Sequence, residues 1–265
     1  MTWRLLEQVF KLSSLLNHSA STSNKNLPAN DGSLLGWHGL AAAKTYLEVN
    51  PTAKLVILED ASTVGGVWAK HRLYPGLKSN NLLGTYQFSD FPVDQDKYNV
   101  SHGRPLPADI VHQYLMDYAT HFGIYERIRF NSKVGSCEHE DGGGWSINIK
   151  LSEPNSTKTT QIVASKLIVA TGLTSNPFLP IIKGSESFEP PVFHSKDFKE
   201  NAWTLEAAKS VGYHPTSIYP GNADGVLQVC VLGGTKSAWD IVYAYATSEL
   251  EFCNPQKPCN LQGQK

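Results

Sequence analysis

Two glycines and one acidic residue in the first quarter of the chain have the spacing of a dinucleotide-binding site. Gly36 and Gly39 fit the second and third glycines of the pattern G-x-G-x-x-G, and Leu34 takes the place of the first. Glycines in this pattern let the backbone turn tightly and approach a pyrophosphate at a helix N-terminus. Glu59 follows Gly39 at the distance where an acidic residue hydrogen-bonds the hydroxyls of an adenosine ribose. The alternative for Glu59 is a solvated carboxylate at a strand end.

The segments around these residues must position them. Small apolar residues at helical spacing after Gly39 predict a helix that ends before Pro51. The run KLVILED predicts a buried strand that ends at Glu59. No β-branched run precedes Gly36, so the sequence predicts no strand directly before the glycine loop. Helix, strand and acid together favour a nucleotide half-site.

A second segment repeats this order of strand, glycine turn and helix. The strand is predicted from Leu227 to Leu232, and the helix begins at about Lys236. Thr235 replaces the middle glycine of the fingerprint, where its Cβ would crowd a pyrophosphate. Ser237 offers a hydroxyl at the helix start in partial compensation. Two such units predict two dinucleotide sites, the second of which uses Gly233, Gly234, Lys236 and Ser237.

The rest of the chain completes an α/β pattern. Four apolar residues spaced by four predict an amphipathic helix that ends near Gly123: Ile110, Tyr114, Tyr118 and Phe122. The segment after it indicates a β-meander around the turn at Gly142 to Gly144, followed by a buried strand ending at Ala170. At the N-terminus, apolar residues on one face predict a short amphipathic helix within residues 1–16, followed by a flexible linker.

Composition excludes several classes of partner. The net charge is −1, which gives no electrostatic reason to expect nucleic acid or an anionic membrane. No run approaches the ~20 apolar residues of a membrane span. The four cysteines form no C-x-x-C, and no histidine pair has zinc spacing. We therefore expect a reduced, cytoplasmic protein without a metal site.

Three further motifs complete a resemblance to the flavin-containing monooxygenase superfamily, and above all to its fungal FAD- and NADPH-dependent members. They are a G-G-x-W segment, an A-T-G strand end, and a spaced F-x-x-x-x-x-H-x-x-x-F signature in which Pro190 replaces the usual glycine. The residues are Gly65, Gly66 and Trp68; Ala170, Thr171 and Gly172; and Phe188, His194 and Phe198. The resemblance implies that G-G-x-W closes over the flavin, that A-T-G ends the FAD domain, and that His194 couples the two domains. The alternative for His194 is that it is an ordinary, partly buried histidine.

The resemblance implies a Rossmann-like FAD-binding domain with a β-meander, over residues 34–200, after an atypical N-terminal segment at 1–33. The start of an NADPH-binding Rossmann-like domain would occupy 201–265. The implied cofactors are FAD and NADPH.

The segment YPGLKSNN bears on the subclass. Baeyer–Villiger enzymes carry an arginine and an aspartate where this chain has Lys78 and Asn80, whereas oxygenases of heteroatoms carry an asparagine followed by F-x-D-F-P, here at residues 88–92. The resemblance therefore implies oxygenation of nitrogen or sulfur in a small molecule by O₂ through a C4a-hydroperoxyflavin. Asn80 would hydrogen-bond the flavin adduct and the retained NADP⁺. The alternative for Asn80 is a turn residue.

Other hypotheses stay open at this point. The illegible first strand and the unpatterned end of the chain favour a truncated, inactive homologue or a faulty gene model, unless the N-terminal segment rebuilds the missing strand. A Baeyer–Villiger enzyme is a second alternative. A disulfide reductase would need a C-x-x-C, and a dehydrogenase with one nucleotide site needs neither G-G-x-W nor two glycine turns.

Overall fold

The structure is a computed structural model that describes residues 6–11, 26–28, 35–74, 76–151, 159–172, 177–187, 191–202, 204 and 230–247. Its helices are α1 (Trp37–Val49), α2 (Gln95–Tyr98), α3 (Ala108–His121) and α4 (Lys236–Thr247). Its strands are β1 (Leu6–Lys11), β2 (Asn26–Pro28), β3 (Leu55–Leu58), β4 (Lys78–Leu82), β5 (Pro105–Pro107), β6 (Ile128–Arg129), β7 (Ser132–His139), β8 (Trp145–Leu151) and β9 (Thr159–Val169).

Seven strands form one sheet in the order β2-β7-β8-β9-β1-β3-β6, and β4 pairs with β5 separately. Strands β9, β1, β3 and β6 run parallel, while β7, β8 and β9 form the predicted antiparallel meander. The long strand β9 belongs to both parts, because its first half pairs with β8 and its second half with β1. The mixed sheet with its helices confirms the expected α/β class.

Strand β1 corrects the prediction of a helix at the N-terminus. Residues Leu6–Lys11 lie between β3 and β9, and Val9 is in register with Val56 on one side and Leu167 on the other. Gln8, Val9 and Phe10 pair with both neighbours, which satisfies their backbone donors and acceptors, and this tertiary gain outweighs a local helical pattern. The strand missing before Gly36 therefore has a counterpart much earlier in the chain.

Helices α1 and α3 cover the parallel strands, and their buried faces include most of the apolar residues that periodicity predicts. Val49, at the end of the predicted pattern of α1, is exposed. Helix α1 buries Gly39, Leu40 and Ala43, and α3 buries Tyr114 and Tyr118 among others. Each fully buried leucine or isoleucine of this core contributes about 1.5–3 kcal/mol relative to its exposed state. Gly123 follows α3 with φ +61°, as the predicted helix end requires.

The second predicted unit is only partly found. Helix α4 begins at Lys236, as predicted. Of the predicted strand over 227–232, residues 227–229 lie outside the described residues, and residues 230–232 form no strand. Cys230 and Leu232 are exposed, so neither supplies the buried side chain on which that prediction relied. Within the described ranges, no helix has the length and apolar character to cross a membrane.

Candidate functional site

The N-terminus of α1 has no side-chain cap. Gly36 precedes the first helical residue in an extended conformation, and its position supplies no side-chain cap. No acidic residue stands in the first turn. The first amides of a helix have no intrahelical partner and carry a partial positive charge. This end of α1 is therefore suited to an anionic group such as a phosphate.

A second pair of glycines lies against this turn. The Gly65 amide donates a hydrogen bond to the Leu35 carbonyl at 2.7 Å, and a Cβ placed on Gly36 would lie 3.5 Å from the Gly66 Cα. Gly65 has φ +130°, and a Cβ there would lie 2.7 Å from the Trp68 carbonyl carbon. The structure thus joins the fingerprint loop to the G-G-x-W segment in one cradle, defined as residues 35–39 and 65–68.

Glu59 stands at the floor of the cradle, directly after β3. Its carboxyl group is completely buried and accepts hydrogen bonds from the amides of Leu35 and of Ala61, the latter at 2.7 Å. Burial raises the pKa of Glu59 to about 8, while the two amide bonds act in the opposite direction. The solvated carboxylate considered from the sequence is therefore excluded. A carboxyl group in this position can accept hydrogen bonds from ribose hydroxyls.

The A-T-G segment lies at the same edge of the sheet as Glu59. Strands β9 and β3 both run parallel to β1, so their carboxyl ends point the same way. Ala170 follows β9 directly, Thr171 is buried, and Gly172 turns with φ +71°. Ligands of open parallel sheets bind outside the carboxyl ends of the strands.

Arg72 is a site residue that sequence reasoning missed. It follows the G-G-x-W segment at the end of a short 3₁₀ helix and is half-buried. Within the described part of the chain, its buried Nε has no hydrogen-bond acceptor. An unpaired guanidinium donor is costly unless an anion supplies the acceptor. Its signal in the sequence was a cationic residue close to a phosphate-type loop.

An aromatic cluster, defined as Trp37, Trp68, Tyr86, Phe88 and Tyr114, packs beside the cradle. The Trp68 indole Nε1 donates to the Tyr86 hydroxyl at 2.9 Å. The ring centroids of Trp37 and Tyr86 are 4.5 Å apart. Trp37 and Tyr114 were not singled out from the sequence as site residues, although Trp37 stands between the two fingerprint glycines. The cluster excludes water from one side of the cradle.

The F-x-D-F-P segment is held by α1 and α3. The Tyr114 hydroxyl accepts from the Phe88 amide at 2.7 Å and donates to the Phe91 carbonyl at 2.5 Å. Asp90 forms an ion pair with Lys44 of α1. This ion pair lowers the pKa of Asp90. The motif therefore anchors the long loop to both helices.

Asn80 lies on β4, apart from the hydrogen bonds of the cradle. Its neighbour Ser79 is buried and accepts from the Leu106 amide at 2.8 Å, which leaves Asn80 on the exposed face of the strand. The β4–β5 pairing is irregular between Lys78 and Leu82. The structure does not join Asn80 to the glycine loops, so its catalytic role stays a prediction.

The second glycine turn is more open. Gly233 has φ +135°, and no heavy atom of the described residues lies within 4 Å of a Cβ placed on Gly234. Lys236 pairs with Asp240, and the Ser237 hydroxyl interacts with the Tyr74 phenol. The phenol of Tyr74, which sequence reasoning missed, donates to Asp240 at 2.9 Å.

His194 caps a short turn. Its Nδ1 accepts from the Lys196 amide at 3.1 Å, and four residues later Phe198 is completely buried between Tyr74 and Tyr245. The coupling role expected for His194 stays a prediction. Among the described residues, no group of histidine, cysteine and acidic side chains is arranged to hold a metal ion.

Fold and cradle together define an α/β nucleotide-binding protein. Residues 35–209 match the family model described as flavin-binding monooxygenase-like. The chain belongs to this family, which confirms the superfamily predicted from its motifs. Oxidoreductase chemistry with a flavin cofactor is thereby confirmed at the level of the family.

Individual relatives agree with this assignment. The chain is 38% identical to FAD-dependent monooxygenase resA of Aspergillus sclerotiorum over 211 residues, which cover 78% of this chain and 33% of the relative. It is 39% identical to an FAD-dependent monooxygenase of Pyrenophora dematioidea over 211 residues, with 78% and 35% covered. Identity to human flavin-containing monooxygenase 1 is 28% over 176 residues, with 62% and 31% covered. The chain thus spans about a third of the length of these relatives.

Solved structures show the same fold at low identity. The closed crystal structure of cyclohexanone monooxygenase has a TM-score of 0.51 at 20% identity, covering 74% of this chain and 31% of the other. The complex of OTEMO with FAD and NADP also has a TM-score of 0.51 at 20% identity, with 72% and 30% covered. Tmm from Pelagibacter sp. strain HTCC7211 has a TM-score of 0.50 at 23% identity, with 58% and 38% covered.

Proposed function

We propose that this protein is an FAD-dependent monooxygenase that uses NADPH and O₂ to oxygenate a nitrogen or sulfur atom of a small molecule. The observation that carries the proposal is the cradle, in which an uncapped helix N-terminus meets a second glycine turn above a buried acid. One oxygen atom enters the substrate and the other leaves as water, while NADPH is oxidised to NADP⁺. FAD, when bound, supplies the redox chemistry, and the protein supplies position and exclusion of water.

The residues present fit FAD. The α1 N-terminus at Gly36 and the unpaired Arg72 Nε suit the diphosphate, and Glu59 suits the adenosine ribose. Gly65 and Gly66 allow the backbone to come close where a side chain would intrude. The Trp68–Tyr86 pair closes one side of this space.

Oxygenation of a heteroatom is favoured over Baeyer–Villiger chemistry by the residues of β4. Lys78 and Asn80 replace the arginine and aspartate that would support attack of an anionic peroxide on a ketone. An amide at position 80 hydrogen-bonds without adding negative charge. The similarity to cyclohexanone monooxygenase is one of fold and does not favour a ketone substrate.

The first test is the visible absorption spectrum of the purified chain before and after addition of FAD and desalting. We expect a retained flavin spectrum. Gly36→Ala is the matched variant, because Gly36 has φ −99° and its new Cβ meets Gly66 at an ordinary contact distance. This variant should lower the stability of the flavin-free protein by about 1 kcal/mol, because alanine is a poorer N-cap residue than glycine, and should bind FAD at least tenfold more weakly, since its methyl group occupies the approach to the diphosphate. A colourless wild-type protein that is folded contradicts the proposal.

The second test separates the substrate classes. NADPH oxidation coupled to product formation is measured with a tertiary amine, a thioether and a cyclic ketone. We expect oxides of the amine or thioether and no lactone. Asn80→Asp should lower formation of the oxide while leaving FAD retention unchanged. Lactone as the main product would refute the assignment to heteroatoms.

A further inference from the structure

We propose that Tyr74 is a positioning residue of the second nucleotide site, where its hydroxyl acts through Asp240 to hold the Lys236 ammonium at the first turn of α4. The inference rests on the proposed use of NADPH, because the ligand it concerns is the phosphate-bearing part of a nicotinamide dinucleotide. Neither the glycine pattern nor any fingerprint residue includes Tyr74.

Three side chains form a continuous chain of contacts. The Tyr74 hydroxyl donates to Asp240 Oδ2 at 2.9 Å, and both carboxylate oxygens of Asp240 contact the Lys236 ammonium. The Asp240 side chain is 18% exposed and that of Lys236 is 34% exposed. Burial, followed by the Asp240 carboxylate, raises the pKa of Tyr74, so the phenol remains a donor at neutral pH. The contacts are therefore charge-assisted and largely shielded from water.

The position of the ammonium explains what this chain of contacts does. Lys236 is the first residue of α4 and follows the Gly233–Gly234 turn, where a phosphate would meet the helix N-terminus. A free lysine side chain has about 2 kcal/mol of rotamer entropy to lose on binding. Asp240, four residues later on the same face, holds the ammonium against the side of the first helical turn before a ligand arrives. An ammonium has three donors, so a phosphate can take one while Asp240 retains the others.

The other end of the chain of contacts reaches the segment of Asn80. The Tyr74 carbonyl accepts from the Leu77 amide at 3.2 Å, and the Leu77 carbonyl accepts from the Ala108 amide at 3.0 Å. Strand β4 begins at the next residue, Lys78. Tyr74 thus ties the first turn of α4 to the segment that carries the candidate catalytic amide.

Tyr245 provides a matched control. Tyr74 and Tyr245 both pack against the buried Phe198, with centroid distances of 5.5 and 6.1 Å. The Tyr245 hydroxyl bonds Thr204 Oγ1 instead of Asp240. Tyr245→Phe therefore removes a phenol hydroxyl from the same small core without touching the Asp240–Lys236 pair.

The ligand test measures the Kd of NADP⁺ for the whole chain by calorimetry. Tyr74→Phe should weaken NADP⁺ about fivefold to tenfold, whereas Tyr245→Phe should change it less than twofold. In an Asp240→Ala background, Tyr74→Phe should have less than a twofold effect, because its partner is already gone. FAD retention should be unchanged in all variants. Equal losses for both tyrosines, or a full loss in the Asp240→Ala background, would overturn the inference.

A ligand-free test separates this inference from the proposed function. Amide hydrogen exchange of Tyr74→Phe should accelerate at the first turn of α4 and at residues 76–82 together. Tyr245→Phe should leave residues 76–82 unchanged. If the wild-type chain binds no NADP⁺, the use of NADPH is refuted while exchange still decides the role of Tyr74. Unaltered exchange at residues 76–82 in Tyr74→Phe overturns the positioning role.

Discussion

The two glycine turns that precede helices α1 and α4 differ in how closely the described residues surround them. At the first turn, a Cβ on Gly65 would lie 2.7 Å from the backbone, and a Cβ on Gly36 would lie 3.5 Å from the Gly66 Cα. At the second turn, a Cβ on Gly233 would meet Ala238 at 3.8 Å, and one on Gly234 would meet no heavy atom of the described residues within 4 Å.

This difference shows that the same residue type serves two purposes. Gly65 is required by the packing of the chain itself, because no other residue fits its φ and its neighbours. Around Gly234 the described residues leave space for a side chain, so their packing does not require a glycine there. We therefore expect substitutions at the first turn to change the stability of the protein, and substitutions at the second turn to change ligand binding.

Substitution of glycine at the two turns should produce the largest contrast. Gly65→Ala should destabilise the protein by about 3 kcal/mol or more, because it combines a positive φ with overlap of backbone atoms. Gly234→Ala should change stability by less than about 0.5 kcal/mol. Urea unfolding followed by tryptophan fluorescence measures both. Similar losses in the two variants would remove the distinction between the turns.

The pH dependence of stability should reveal the buried acid of the first turn. The pKa of Glu59 is raised from 4.5 to about 8, so between these values the folded chain holds a proton that the unfolded chain has lost. The free energy of unfolding of the flavin-free protein should therefore fall as pH rises from about 4.5 to 8, by at most about 1.4 kcal/mol per pH unit.

Glu59→Gln tests the source of this slope. The variant should flatten the pH dependence, although its amide group faces one of two backbone donors and lowers stability at acidic pH. The exposed Glu126, changed to Gln, is the control and should keep the wild-type slope. Denaturant titrations at several pH values measure the slope of the unfolding free energy against pH for each variant. A slope that survives in Glu59→Gln would assign it to another group.

Substitution of two tryptophans, one beside each glycine turn, should give the smallest difference in stability. Trp68→Phe removes the indole donor to Tyr86 beside the first turn and should cost about 1 kcal/mol. Trp239, near the second turn, is 72% exposed and donates to the Gly234 carbonyl at 3.2 Å, so Trp239→Phe should cost less than about 0.5 kcal/mol. Thermal unfolding compares the two variants. A greater loss for Trp239→Phe would mean that the second turn is packed more tightly than the first.

The spacing of apolar residues predicted those helices and strands in which the pattern lies within the element itself. Helix α3, the antiparallel meander and strand β3 with the following Glu59 agree with the sequence expectations. The strand expected to be buried and to end at Ala170 is found as β9, but it is largely exposed, so that part of the prediction was wrong. Strand β1 was missed because Leu5, Val9, Leu12 and Leu16 fit one face of a helix, and only pairing with β3 and β9 shows that Leu6–Lys11 is a strand. The domain boundaries at 33 and 200 stay predictions.

The candidate site was predictable where a motif is continuous in the chain. The fingerprint glycines, Glu59 and the G-G-x-W segment were found in this way, and the structure brings them into contact. Tyr74 and Asp240 were not predictable as a pair, because 166 residues separate them. Arg72 gave a charge in the sequence, but its unpaired Nε exists only after burial.

The sequence by itself determined the family, the order of the two glycine turns and the residue types that can face a dinucleotide, because these depend on local spacing. Only the tertiary structure decided that Leu6–Lys11 is a strand, that Glu59 is buried with a raised pKa, and that Tyr74 reaches Asp240. Each of these depends on atoms that are distant in the chain. Their free energies arise from burial and pairing, which no local pattern contains.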